Sequence, residues 1–198
     1  MIAIVDFKAG NLASVKKAFD YLGQESVITS QPAAIADAAK IVLPGVGHFA
    51  ATRVLETSDI SSALKAAIER GVPFLGICVG MQWLFEGSTE APEVPGLSLF
   101  AGTCRRFEGP IKVPHVGWNQ LRIENSSRLF QGIKPSEFVY FTHSYRAPLC
   151  DATSAACDYG GSFSAGVERD NVFGVQFHPE KSGPGGLQML RNFCELPC

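Results

Sequence analysis

The amino-acid sequence predicts an α/β protein: one open mixed sheet, parallel at its centre, with an antiparallel extension and flanking helices. Two observations predict this fold class. Over residues 2–86, short apolar runs of strand length alternate with segments whose apolar residues recur at helical spacing. From about residue 99, β-type segments separated by turns replace that alternation. Strands that alternate with helices form parallel sheets, whereas strands joined by short turns pair antiparallel.

The first half of the chain supplies the predicted parallel strands. Ile2–Val5 is a short apolar run, as in a strand buried on both faces. Leu12, Val15, Phe19 and Leu22 then recur at helical spacing, and Gly23 supplies the stop. The same criteria predict strands at 26–29, 41–43 and 73–77 and helices at 58–71 and 81–86.

The second half supplies the antiparallel extension and a last helix. Its β-type segments are 99–107, 116–123, 137–142, 154–159, 163–168 and 172–177. The tail from 185 to 194 returns to helical spacing, with Leu187, Leu190 and Cys194 on one side. No repeat or linker interrupts the 198 residues, a length that fits one hydrophobic core. We therefore predict a single domain over residues 1–198.

The composition excludes several classes of function. Seventeen basic and nineteen acidic residues give a net charge of −2, which provides no basic surface for nucleic acid or an anionic membrane. No apolar run approaches the roughly 20 residues that span a bilayer, and the start lacks the basic region of a secretory signal. The six cysteines form no close pair and the four histidines are far apart, so we expect reduced thiols, no metal site and no cofactor. A cytoplasmic protein is the expectation.

The strongest chemical signal is the segment Gly76–Gly80, with the sequence Gly-Ile-Cys-Val-Gly. An apolar strand enters this segment and a helix follows it, which is the nucleophile-elbow pattern with cysteine in place of serine. The tight turn lifts Cys78 above the sheet at a helix N-terminus, where the thiolate is favoured. The backbone N–H of Val79 then points to the position of an oxyanion. A buried cysteine in a glycine-rich turn is the alternative interpretation.

The second signal is His178-Pro179-Glu180, which follows an apolar strand. A histidine at a strand end can reach a neighbouring loop, and a carboxylate two residues later can hold its imidazole in one tautomer. Together with the elbow, Cys78, His178 and Glu180 would form a complete triad for acyl transfer. Without the elbow, His178 would be interpreted as a surface histidine.

The third signal is the segment Leu43–Gly47, with the sequence Leu-Pro-Gly-Val-Gly after a predicted strand. No Lys-Ser/Thr pair follows it, so it is not a phosphate-binding loop. Its glycines leave backbone N–H groups free to approach a ligand, and Val46 and Gly47 are candidates for the second oxyanion donor. A plain tight turn without chemistry is the alternative.

Taken together, Gly76–Gln82 and Gln176–Glu180 resemble the two motifs of the class I, or triad, glutamine amidotransferases. The resemblance implies that Cys78 is the nucleophile, His178 the general base and acid, and Glu180 the residue that orients the imidazole. It also implies L-glutamine as substrate, hydrolysed through a cysteine thioester to glutamate and ammonia.

Further segments resemble the glutaminase subunits of imidazole glycerol phosphate synthases, and the likeness covers the chain from residue 2 to about 194. These segments are Asp6–Ser14, Pro44–Gly47, Pro114–Asn119, Tyr140–Tyr145 and Lys181–Gly183. The resemblance implies that the amino-acid end of glutamine is bound by Gln82, His143, Ser144 and Tyr145. His143 could equally be a packed strand histidine, and Tyr145 a residue at the edge of the core.

The chain is too short to hold a synthase domain besides the amidotransferase fold, so a partner chain is expected. By resemblance, the partner is a (β/α)₈-barrel cyclase subunit that forms a heterodimer with this chain and receives the ammonia in histidine biosynthesis. Trp118, Tyr140 and Lys181 are the candidate interface residues, with ordinary surface packing as the alternative.

Two other functions remain open from the sequence. A redox-sensing α/β protein would use Cys78 as a reactive thiol, but it gives no reason for the His-Pro-Glu segment at His178. A stand-alone γ-glutamyl hydrolase would use the same triad on larger substrates, but Pro114–Asn119 argues against it. Release of glutamate from glutamine in the presence of the partner would distinguish a glutaminase from a redox sensor. Activity on γ-glutamyl peptides without a partner would favour the stand-alone hydrolase.

Overall fold

An eight-stranded mixed sheet forms the centre of the molecule in the computed structural model, which describes residues 1–124 and 126–197. The strands are β1 (Ile2–Val5), β2 (Ser26–Thr29), β3 (Lys40–Gly45), β4 (Phe74–Cys78), β5 (Gly87–Ser88), β6 (Thr103–Arg106), β7 (His115–Gln120), β8 (Arg122–Ile123), β9 (Phe138–His143), β10 (Tyr145–Arg146), β11 (Thr153–Asp158), β12 (Ser162–Arg169) and β13 (Val172–Val175). The α-helices are α1 (Leu12–Tyr21), α2 (Pro32–Ala36), α3 (Val54–Thr57), α4 (Asp59–Glu69), α5 (Val79–Gln82) and α6 (Gly183–Glu195). Two 3-10 helices cover Phe49–Arg53 and Pro179–Lys181.

The strand order confirms the predicted fold class. The large sheet runs β2-β1-β3-β4-β13-β12-β11-β8. Its first five strands are parallel, and the last three extend it with antiparallel pairing. Two smaller sheets, β10-β6-β5 and β7-β9, lie outside it. Because β4 and β13 are parallel neighbours, the residues that follow them meet at one edge of the sheet.

The sheet is covered on both faces, which explains why its central strands are continuously apolar. In β1, Ile2 and Ile4 belong to one hydrophobic cluster, and the alternate residues Ala3 and Val5 belong to the other. Helices α1 and α6 contribute buried residues to the first cluster, and α2 and α4 contribute to the second. Burial on both faces holds the carboxyl ends of β3, β4 and β13 at fixed positions for the site.

Four short helices were not predicted: α2, α3 and the two 3-10 helices, Phe49–Arg53 and Pro179–Lys181. Each spans only three to five residues, which is too short for a helical period to be visible in the sequence. The helix predicted at 81–86 is wrong in its bounds, because α5 covers only Val79–Gln82. The carbonyl groups of Trp83 and Phe85 accept hydrogen bonds from the N–H groups of Leu97 and Ser98. These bonds to a segment distant in sequence replace the helical ones, so the helix ends before residue 83.

The β-segment predicted at 116–123 is divided between two sheets. Strand β7 pairs with β9 in a two-stranded ribbon, while β8 joins the large sheet beside β11. One face of the ribbon is buried through His115 and His143, and the other exposes Trp118 and Phe138. The ribbon therefore has one face toward the core and one toward solvent. Across the described residues, no helix combines the length and the hydropathy that crossing a bilayer requires.

Candidate active site

Cys78 lies at a strained turn between β4 and α5. Its backbone has φ 55° and ψ −110°, a conformation that non-glycine residues rarely adopt. A Cβ on Gly76 would lie 2.6 Å from the carbonyl oxygen of Gly80, and a Cβ on Gly80 would lie even closer to the carbonyl oxygen of Leu43. The turn therefore exists only with glycine on both sides of the cysteine. This is the steric reason for the Gly-x-Cys-x-Gly pattern.

His178 and Glu180 form a buried pair directly after β13. His178 Nδ1 lies 2.9 Å from Glu180 Oε1, and their side chains are 2% and 0% exposed. The backbone N–H of His178 donates to the carbonyl of Tyr140, and Ser182 Oγ donates to the carbonyl of His178. Within the described chain, His178 Nε2 is buried and makes no hydrogen bond of good geometry. That nitrogen is free to exchange a proton with a reacting group.

The surroundings of His178 favour its protonated form. Burial lowers the pKa of His178, but the interactions with Cys78 and with the Glu180 carboxylate outweigh it and raise the pKa to about 10. The imidazolium beside Cys78 in turn favours the thiolate, the nucleophilic form of cysteine. The three predicted triad residues are therefore brought together in an arrangement that suits acyl transfer.

A cavity of about 220 Å³ opens beside Cys78. Seven of the residues predicted from the sequence line it: Gly47, Cys78, Val79, Gln82, His143, Ser144 and Tyr145. Gly47 has φ +99° and is exposed, while Val46 is outside the set of described residues that line the cavity. Gly45 packs directly on the elbow, since a Cβ there would lie 2.9 Å from the Val79 Cβ. The loop at Gly45–Gly47 thus borders the space where an oxyanion would form.

Glu90, Pro114 and Thr142 also line this cavity, and Glu90 was not predicted. Its Oε2 accepts the backbone N–H of Phe49 at 2.7 Å, at the start of the 3-10 helix that follows the Gly45–Gly47 loop. Glu90 therefore places a carboxylate at the cavity, and its hydrogen bond to Phe49 restrains the segment that follows the loop. No motif surrounds Glu90 in the sequence, and it lies 41 positions from its partner Phe49, so only the fold reveals its place.

Gln82 is oriented by two hydrogen bonds. Its Nε2 donates to the carbonyl of Tyr145 and to Gln176 Oε1, both at 3.0 Å. Its Oε1 is buried and has no partner among the described residues. A buried acceptor without a donor is costly, so this oxygen is suited to receive an N–H from a ligand in the cavity.

His143 is a neutral histidine in this environment. Burial lowers its pKa to about 3, and its Nδ1–H donates to the carbonyl of Tyr145 at 2.8 Å. Its Nε2 lies 3.0 Å from Nδ1 of His115, whose pKa burial lowers to about 4. Because it remains uncharged and both its nitrogens are engaged, His143 cannot take the role of the general base. His178 is the histidine suited to that role.

Comparison with known proteins decides the family. The family model described as "Glutamine amidotransferase class-I" matches residues 3–196. The imidazole glycerol phosphate synthase subunit HisH of Thermococcus kodakarensis is 51% identical over 203 residues, covering 99% of this chain and 100% of that protein. The chain belongs to the HisH family of class-I glutamine amidotransferases. The HisH proteins of Moorella thermoacetica and Methanothermobacter thermautotrophicus are 46% and 45% identical, covering 98% and 99% of this chain and 94% and 98% of theirs.

Solved structures share the fold of this HisH-family chain. A glutamine amidotransferase crystal structure has a TM-score of 0.77 at 19% identity, covering 98% of both chains. The structure of PurLQS from Thermotoga maritima has a TM-score of 0.76 at 22% identity, covering 98% of this chain and 96% of the other. The agreement supports the architecture of the central sheet.

The three predicted interface residues of the HisH-family chain form one surface cluster. Trp118 and Tyr140 are cross-strand partners in the β7–β9 ribbon, with ring centroids 6.2 Å apart. Lys181 Nζ lies 5.9 Å from the centre of the Tyr140 ring. Trp118 is 56% exposed, which is a large apolar surface for one side chain. The cluster adjoins the triad, because the Tyr140 carbonyl accepts the N–H of His178.

Proposed function

We propose that this protein is the glutaminase subunit of an imidazole glycerol phosphate synthase. It hydrolyses L-glutamine to glutamate and ammonia and delivers the ammonia to a cyclase subunit in histidine biosynthesis. One observation carries the chemistry: Cys78 stands on a positive-φ elbow beside the buried His178–Glu180 pair and opens to a small polar cavity. Full-length similarity to HisH proteins supports the biosynthetic role.

The reaction begins with attack of the Cys78 thiolate on the side-chain amide carbon of glutamine. Backbone N–H groups of Val79 and of the loop at Val46 and Gly47 receive the negative charge that develops on the carbonyl oxygen. The protonated His178 Nε2 transfers its proton to the amide nitrogen, so ammonia leaves and a glutamyl thioester remains. His178 then takes a proton from water, which attacks the thioester and releases glutamate and the Cys78 thiolate.

The cavity offers charge and hydrogen bonds to the amino-acid end of the substrate. Glu90 supplies a carboxylate, and Gln82 Oε1 supplies an unpartnered acceptor. Both suit the α-ammonium group of glutamine. Ser144 and Tyr145 lie on the segment after β9 and line the same space. We assign them to the α-carboxylate end together with His143, which lines the same cavity and also holds the Tyr145 carbonyl in place.

The exposed face of the β7–β9 ribbon is the proposed contact with a (β/α)₈-barrel cyclase subunit. Trp118 and Tyr140 supply two aromatic rings of the kind enriched in protein interfaces. Lys181 adds a cation beside the Tyr140 ring. Ammonia in neutral water is mostly ammonium, which is not nucleophilic. A sealed contact close to the triad would deliver it to the acceptor unprotonated.

The test is a glutaminase assay of the chain alone, with the cyclase subunit, and with the cyclase plus its acceptor nucleotide. We expect low turnover alone and stimulation by about 10²–10³ in the full complex, the typical effect of one correctly placed oxyanion donor. Gly47 can move such a donor because its backbone is free of side-chain constraint. Equal turnover with and without the partner would favour a stand-alone γ-glutamyl hydrolase. Absence of glutaminase activity in the full complex would refute the proposal.

A further inference from the structure

A series of hydrogen bonds leads from the β7–β9 ribbon toward the nucleophile and becomes buried at the two histidines. It begins at Asn119, whose Nδ2 donates to the carbonyl of Asp158 at 3.1 Å and lies 3.3 Å from His115 Nε2. His115 Nδ1 lies 3.0 Å from His143 Nε2, and His143 Nδ1 lies 2.8 Å from the Tyr145 carbonyl. His115 is 4% exposed and His143 is 6% exposed.

The carbonyl groups of Asp158 and Tyr145 fix the direction of donation along this series of hydrogen bonds. A carbonyl oxygen only accepts, so the His143 nitrogen that faces Tyr145 carries the proton. Since burial keeps His143 neutral, its other nitrogen is an acceptor, and His115 must donate to it. Burial also keeps His115 neutral, and its remaining nitrogen accepts from Asn119. Every tautomer is therefore determined by its neighbours.

The same carbonyl fixes the amide of Gln82. A flipped Gln82 would turn its Oε1 toward the Tyr145 oxygen, acceptor against acceptor. Its Nε2 must face Tyr145, and this Nε2 also donates to Gln176 Oε1 at 3.0 Å. Gln176 therefore has to present its own Nε2 on the other side. That nitrogen lies 3.6 Å from Cys78 Sγ and donates to it.

We propose that Gln176 is a further catalytic residue, whose side-chain N–H binds the Cys78 sulfur and favours its thiolate, with Gln82 and His143 as the positioning residues that hold the amide in that orientation. The inference rests on the glutaminase function proposed above. It concerns a residue that is 0% exposed, so no water competes for its donor. Hydrogen bonds to a charged acceptor are about twice as strong as neutral ones.

The role complements that of His178. The imidazole gains and loses a proton during each turnover, so its charge is not constant. The Gln176 amide remains a neutral donor throughout, both when the thiolate attacks and when it leaves from the thioester. Among the described residues, the titratable groups around Cys78 are His178, which is paired with Glu180, and the cavity-lining residues Glu90, His143 and Tyr145. None of these is altered by a substitution at Gln176.

The experiment compares Gln176→Met with the matched control Gln188→Met in the full chain. Gln188 is a part-buried glutamine on α6 that bonds only Asn192 among the described contacts. The readout is the rate at which iodoacetamide alkylates Cys78, followed by mass spectrometry of the Cys78 peptide from pH 5.5 to 9.5. We expect Gln176→Met to slow alkylation about tenfold at pH 7 and to raise the midpoint of its pH profile by about one unit. The control should keep the wild-type profile.

A second variant, Gln176→Glu, keeps the shape of the side chain and replaces the donor with an acceptor. We expect it to slow alkylation at least as much and, in the complex, to lower kcat for glutamine while leaving KM within about threefold. Wild-type alkylation profiles in both variants would overturn the inference, even if their thermal stability falls. Failure of the wild-type complex to hydrolyse glutamine would instead refute the proposed function, so the two failures are distinguishable.

Discussion

Replacing Glu180 with glutamine tests the electrostatic part of the triad. The carboxylate is fully buried and accepts a hydrogen bond from His178 Nδ1 at 2.9 Å. In Glu180→Gln, the amide oxygen can still accept that bond and keep the tautomer, but the negative charge is lost. The amide NH₂ then occupies the place of Oε2, which has no partner in the described chain.

The magnitude follows from the kinds of bond involved. A hydrogen bond to a charged group contributes about 1.5–3 kcal/mol and a neutral one about 0.5–1.5 kcal/mol. The imidazolium form of His178 therefore loses about 1–2 kcal/mol of stabilisation in the variant. This loss corresponds to a decrease in kcat of roughly 5- to 30-fold. The buried amide NH₂ without an acceptor costs about 1–3 kcal/mol of unfolding free energy. His178→Ala removes the proton-transfer group itself, so we expect it to reduce kcat much further.

The pH dependence of stability gives an independent assay. Because the folded-state pKa of His178 is raised, stabilisation by its protonated form is fully present below about pH 6.5 and is lost as the pH rises through about 10. We therefore expect the loss of unfolding free energy in Glu180→Gln to be largest near pH 6.5 and to shrink toward pH 10. Urea unfolding at a series of pH values measures this, and turnover in the cyclase complex measures the catalytic effect.

Two results would refute the reasoning. One is a Glu180→Gln variant with the kcat and the stability profile of the wild type, since the charge would then have no effect on His178. The other is a His178→Ala variant that retains more activity than Glu180→Gln. That order of effects would contradict the assignment of proton transfer to His178 and of orientation to Glu180.

Three further predictions concern the nucleophile, the elbow and the substrate cavity. Cys78→Ala should abolish glutamine-dependent synthesis in the complex, while ammonium salts at high pH should still support the cyclase reaction; retained glutamine turnover would exclude Cys78 as nucleophile. Gly80→Ala places a Cβ against the Leu43 carbonyl oxygen, so thermal unfolding should show a loss of about 3 kcal/mol or more; a wild-type Tm would contradict the steric argument. Glu90→Gln should raise KM for glutamine about tenfold or more, because the α-ammonium loses its counter-charge, and steady-state kinetics with an unchanged KM would place the ammonium elsewhere.

Much of the fold follows from local patterns in the sequence. The apolar runs at Ile2–Val5 and 73–77 identify strands buried on both faces, and the residues between Ser58 and Gly71 show the helical period of α4. The short helices α2 and α3 could not be predicted, since one turn leaves no period to observe. The end of α5 depends on a segment more than ten residues further along the chain, so it too required the tertiary structure.

The sequence by itself determined the elbow at Cys78 and the pairing of His178 with Glu180, because both depend on residues within a few positions of each other. A Cβ on Gly76 would clash with the nearby Gly80 carbonyl, and a carboxylate two residues after His178 can reach its imidazole. The need for glycine at position 80 is tertiary, because a Cβ there would meet the Leu43 carbonyl on β3. Only the tertiary structure decided that Glu90 borders the cavity, that His143 is a buried and neutral histidine, and that Gln176 donates to the nucleophile. The physical reason is that these contacts join strand ends and loops far apart in sequence, and burial, which fixes both the pKa values and the hydrogen-bond partners, exists only after the sheet has assembled.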